Sequence, residues 1–206
     1  MITLVYIISN NCWAGYVYQR YNIQYKTPTI GLYFFAEDFI RFLKRLRYYL
    51  NLPIVFIPAT ESKYYDVLKR RNHINCPIGV LDDIEIIFLH YKSEEEAREK
   101  WTRRAERVNF DNLIIKFSEM NLCTEKELKE FDPLPYETKF VFTHVKRADI
   151  KCSIYYKGYE KSNEVKNDTA HYCKSINLVS LINEKKFSNT NANFVSNNIN
   201  YLRICS

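Results

Sequence analysis

Glycine is scarce, with only 4 in 206 residues. That excludes a glycine-rich phosphate loop, which places several glycines in one turn, and a long series of two-residue hairpins. Paired cysteines are missing too. Cys12, Cys76, Cys123, Cys152, Cys173 and Cys205 stand at long, irregular gaps with no CxxC. Structural zinc sites usually bring such pairs, so no metal site is expected, and free thiols in a reducing cytoplasm are the simplest account. No apolar run approaches the roughly 20 residues that cross a bilayer. The runs at 5–8 and 30–36 are far shorter, and no signal peptide precedes the first strand. The expectation is a cytoplasmic protein without a transmembrane segment, with peripheral membrane contact left open.

What is present is enough for a core. Hydrophobic residues make up 47% of the chain, and 17 Tyr and 13 Phe are among them, a profile far from that of a disordered chain. The formal net charge of +6 permits anionic partners without requiring one, because acids interleave with the bases. The length suits one domain. Residues 1–186 read as a single α/β domain, and 187–206 as an Asn-rich tail of low complexity, expected to be poorly ordered.

Along the chain, strand and helix patterns alternate. Residues 2–8 are β-branched and aromatic throughout, the pattern of a strand buried on both faces. Ser9-Asn10-Asn11 ends it, and a short helix over about 13–21 follows. Residues 29–35 read as a second strand or an extended segment, 37–50 as an amphipathic helix, 54–57 as a short strand and 64–71 as a helical turn or two. The segment 84–89 reads as a buried strand running into a strongly signalled helix. Ser93 and Glu96 form a capping box there, Glu94 to Glu96 complement the helix dipole, and acids precede bases at i,i+4. Strands at 113–117 and 139–143 flank a helix at 125–131 capped by Thr124 and Glu127. A terminal helix is expected within 167–183, with Asp168 or Thr169 as its cap. The predicted fold is a three-layer α/β/α sandwich, Rossmann-like, with a mainly parallel sheet that can be mixed.

In open α/β sheets, ligands gather outside the carboxyl ends of the strands. Those ends carry Asn10-Asn11-Cys12, His90-Tyr91-Lys92-Ser93, Lys116-Phe117-Ser118-Glu119 and Thr143-His144. In one parallel sheet they converge. His90 and Lys116 are the candidate catalytic residues, with His144 the alternative base and Glu119 a candidate carboxylate, and Asn10, Asn11, Trp13, Lys92, Ser93 and Ser118 are the candidate substrate-binding ones. Each also has a plain structural role open to it as cap, strand stop, core anchor or solvated cation. The Arg103-Arg104 and Arg107 patch lies on a helix rich in acids, so nucleic acid is not expected. Asp82 and Asp83 are adjacent rather than spaced as a DxD metal motif.

Several long segments resemble the bacterial family called domain of unknown function 1919. These are SNNCWAG (9–15), TPTIGLYFFAEDF (27–39), PIGVLDDIEIIFLHYKSEEEAREKW (77–101), RVNFDNLIIKFS (107–118), CTEKELKEFDPLP (123–135) and KFVFT (139–143). The likeness spans about residues 2–183. It implies an α/β fold and an association with exopolysaccharide biosynthesis, but no catalytic residues and no known cofactor. The expected function is therefore an enzyme of cell-surface polysaccharide assembly, glycosyltransferase-like or another sugar-modifying transferase, taking a sugar nucleotide or sugar phosphate. The alternative is a non-catalytic accessory or scaffold protein of such a pathway.

Overall fold

A computed structural model describes residues 5–170, 172 and 175–177. In chain order its elements are β1 (Tyr6–Ser9), α1 (Trp13–Arg20), α2 (Ala36–Lys44), α3 (Leu46–Leu50), β2 (Val55–Ile57), α4 (Tyr65–Arg70), β3 (Ile78–Leu81), β4 (Ile84–Ile87), α5 (Glu94–Ala105), β5 (Leu113–Ser118), α6 (Glu125–Phe131), β6 (Lys139–Thr143) and β7 (Ser153–Tyr155). Two sheets result. One is fully parallel in the order β1-β5-β6-β7, and the other is an antiparallel β2-β3-β4 meander.

The parallel sheet is buried on both faces, as its unbroken apolar strands demand. Ile7, Ile114, Phe140 and Phe142 point to the α1 side and pack with Trp13, Val17 and Tyr18. Ile8, Ile115, Phe117 and Val141 point the other way, onto Phe39, Phe42, Trp101, Leu128 and Phe131 from α2, α5 and α6. This is the expected three-layer α/β architecture.

Two expectations change and one open alternative is decided. The β4 strand does not join the parallel sheet. It looks like a buried centre strand because Ile84 and Ile86 enter the main core while Ile87 enters a separate cluster with Tyr33 and Phe35. Of strand and extended segment, 29–35 is the extended segment; among the described residues its only ladder contact is a bridge between Tyr33 and Ile87. The 37–50 helix breaks at Arg45 (φ −132°, ψ 38°) into α2 and α3.

The α5 helix keeps most of its design. Glu96 N–H donates to Ser93 Oγ at 3.2 Å, but the Glu96 carboxylate turns to Lys92 N at 2.8 Å, so the box closes one residue early. Glu96–Lys100 and Glu99–Arg103 pair. Arg98 does not pair with Glu94; it donates to Ile54 O and stacks on Phe56. The expected terminal helix at 167–183 lies largely outside the described residues, and the 187–206 tail wholly so.

Gly79 in β3 leaves no room for a larger side chain. A Cβ there would sit 2.8 Å from Phe88 Cε2 and 2.9 Å from Ile54 Cγ1. Gly79→Ala should therefore cost about 1–3 kcal/mol through overpacking, read as a lower denaturation midpoint in urea with an unchanged slope.

Candidate functional site

The exit of β1 is organised by its own side chains. Ser9 Oγ donates to Asn11 O at 2.7 Å and accepts from Ala14 N at 3.3 Å, while Asn11 Oδ1 accepts from Trp13 N at 3.2 Å. These bonds satisfy the first free N–H groups of α1. Asn10 clamps the neighbouring strand end: its Nδ2 donates to Ser118 O and its Oδ1 accepts from Ser118 N, both at 3.1 Å.

Lys116 lies in the middle of β5, level with Ser9 across the ladder. Its side chain is fully buried. The ammonium donates to Asn11 Oδ1 at 3.0 Å and to the Asp168 carboxylate, and it lies over the rings of Trp13 and Phe142 at 5.7 and 5.6 Å. Asp168 also accepts from Ser118 Oγ, and Asn11 Nδ2 donates to its two oxygens at 2.8 and 2.9 Å. Three donors thus converge on one carboxylate beside the N-terminus of α1. Burial pushes the Lys116 amine below its ordinary value, and Asp168 opposes that shift. Cys12, next in the chain, has its thiol pushed up to about 11 by burial and then by Asp168, so it is not a ready thiolate.

A second polar pair caps the same sheet. Glu119 and His144 are the first residues beyond β5 and β6. Glu119 Oε2 accepts from His144 N at 2.9 Å and lies 2.7 Å from His144 Nδ1.

The chain matches the family described as Domain of unknown function (DUF1919) over residues 3–195. It is also 37% identical over 159 residues to an "Uncharacterized protein" of Haemophilus influenzae, covering 77% of this chain and 71% of that protein. The chain belongs to the DUF1919 family.

Among the expected site residues, this DUF1919 chain brings Asn10, Asn11, Lys116 and Ser118 into direct contact, with Trp13 buried alongside. His90, Lys92 and Ser93 do not join them. They leave β4, in the other sheet, and the segment 30–34 lies between the two groups. That segment bonds the β1 loop through Phe34 N to Asn10 O (3.0 Å) and Cys12 Sγ to Leu32 O (3.7 Å). On its other side it bonds the β4 exit through His90 N to Gly31 O (2.9 Å) and Tyr91 Oη to Ile30 O (2.6 Å). Gly31, at φ +69°, lets His90 and Tyr91 approach within 3.3–3.4 Å of where a Cβ would be. His90 and Lys92 are exposed, and Ser93 is the α5 cap. The convergence of all strand ends on one rim is corrected accordingly, because β4 runs in an antiparallel sheet.

Asp168 is the residue that sequence reasoning missed. It reads locally as a helix cap, and nothing in its neighbours signals a partner 52 residues away. Asp82 and Asp83 form the two-residue turn between β3 and β4 and are engaged by Tyr48, Tyr49 and Arg41. Among the described residues no three His, Cys, Asp or Glu side chains are grouped to hold a metal ion, and no helix is long and apolar enough to cross a membrane. The outer face of α5 carries a shallow concavity of about 440 Å³ lined by Glu95, Arg98, Glu99, Thr102, Arg103 and Glu106. Its lining mixes both charge signs.

Proposed function

We propose that this DUF1919 protein is a sugar-modifying transferase of cell-surface polysaccharide assembly, taking a sugar nucleotide or sugar phosphate at the carboxyl rim of its parallel sheet. The observation that carries this is the buried Lys116–Asn11–Ser118 donor set converging on a carboxylate at the end where α/β sheets bind ligands. A buried ion pair adds little net stability over apolar packing, so chemistry accounts for its position better than folding does. The family resemblance supplies the polysaccharide context. In this reading the donor phosphate takes the place of the Asp168 carboxylate, with Asn10 holding the loop and Trp13 walling the site. His90 and Lys92, across the 30–34 segment, serve as orienting donor and outer cation for the far end of the ligand.

A second reading, a non-catalytic accessory protein of the same pathway, is favoured by one feature: Lys116, Asn11, Ser118 and Asp168 bond to one another. Thermal-shift titration separates the two. A panel of nucleoside diphosphate sugars should raise stability by about 2.7 kcal/mol at 100 times Kd. Ser118→Ala, which leaves the ion pair in place, should weaken that response, as should the exposed changes His90→Ala and Lys92→Ala. No response to any member of the panel leaves the accessory reading standing.

A further inference from the structure

We propose that His144 is the general base of this transferase, held in position by Glu119. The inference rests on the reading of the rim as a sugar-donor site, but on different residues. Glu119 and His144 end adjacent parallel strands, so both lie at the ligand end of the sheet. One carboxylate oxygen receives the backbone N–H of His144 at 2.9 Å and its ring Nδ1 at 2.7 Å. Two bonds to one acceptor fix both the base of the side chain and the plane of the ring. With Nδ1–H donating, the lone pair is left on Nε2, and Nε2 has no hydrogen-bond partner among the described residues.

The backbone that carries the Glu119 carboxylate is itself held at both of its polar groups. Glu119 N donates to Phe142 O at 2.9 Å, and Glu119 O accepts from Val165 N at 2.8 Å. The turn after β6 is pinned by Thr143 Oγ1 to Val145 O at 2.8 Å. Arg147, the nearest arginine in sequence, is engaged by Glu125 and Asp149 and does not compete for Glu119. The His144 side chain is 18% exposed against 8% for Glu119, so the ring is the more accessible member of the pair. The dyad also belongs to the same rim as the amine: Glu119 follows Ser118 directly, and the segment that bonds Glu119 through Val165 bonds Lys116 three residues later through Asp168. The other described histidines lack this arrangement. His73 meets the Tyr33 hydroxyl at 3.0 Å, and His90 is exposed without a carboxylate.

The chemistry follows the orienter–imidazole logic of nucleophile activation. The acceptor hydroxyl gives its proton to His144 Nε2 as its oxygen attacks the anomeric carbon of the donor sugar. The bond from that carbon to the phosphate oxygen breaks, and its electron pair leaves on the nucleoside diphosphate. Glu119 stabilises the imidazolium, which returns its proton to solvent. With water as acceptor the same step is slow hydrolysis of the donor.

The test uses the full chain and the nucleoside diphosphate sugar that gives the largest thermal shift, with release of nucleoside diphosphate as readout. His144→Ala should lower kcat by about 10²–10⁴-fold with KM and the thermal shift unchanged, and added imidazole should restore part of the loss. Glu119→Gln should lower kcat without changing the thermal shift. His144→Asn keeps a donor toward Glu119 without the Nε2 base, so it should fold as wild type and turn over as poorly as His144→Ala. Wild-type turnover in His144→Asn, with donor still bound, overturns the base assignment and leaves the donor-site reading intact. A wild-type protein that binds donor without releasing diphosphate also overturns it. Failure to bind any donor removes both.

Discussion

Lys116→Met should destabilise the protein by about 3–5 kcal/mol, because it leaves the Asp168 carboxylate buried without its counter-charge. Asp168 is 1% exposed, so water cannot replace the ammonium. Ser118 and Asn11 still donate to it, which places the expected loss at the lower end of that range. For a chain of this size the change lowers Tm by about 6–20 °C. The double variant Lys116→Met, Asp168→Leu should recover most of it, since an apolar pair of similar volume removes both desolvation costs. Differential scanning calorimetry of the two single variants and the double one completes the cycle. If the singles add to the double without coupling, the two side chains do not form the ion pair described.

Trp101→Ala should cost a comparable 3–5 kcal/mol, by a different route. Trp101 is 1% exposed on α5. Its ring meets Phe42 of α2 at 6.2 Å and Phe88, just past β4, at 6.1 Å. It therefore joins the antiparallel meander to the main core. Its Nε1 has no hydrogen-bond partner among the described residues, so the loss is apolar contact and cavity rather than a broken polar bond. Trp101→Phe should cost clearly less, since a ring remains to fill most of the space. Urea unfolding of both variants checks the ranking; equal midpoints would show that the site collapses around either residue.

How much of this was legible in the sequence follows from the range of each signal. Local signals were read correctly. Thr124 and Glu127 close a capping box in the structure, α6 and β6 fall at 125–131 and 139–143 as the pattern predicts, and Ser118 ends β5, two residues after Lys116. Sheet membership was not legible. A strand buried on both faces in an antiparallel meander carries the same unbroken apolar run as a parallel centre strand, and β4 is such a strand. That misplaced His90 relative to Lys116. Asp168 was invisible because its role is made entirely by tertiary contact. The Glu119–His144 pair was visible as two strand ends, but only the register of β5 against β6 brings them together.

The measurement that bears most directly on the proposed site is a titration of ¹⁵N-labelled protein with the nucleoside diphosphate sugar that gives the largest thermal shift, followed by backbone amide NMR. Saturable shifts should concentrate at residues 10–14 and 118–120, where the β1 loop, the start of α1 and the exit of β5 meet around Lys116. Saturable shifts along the outer face of α5, with those rim amides unmoved, would contradict it.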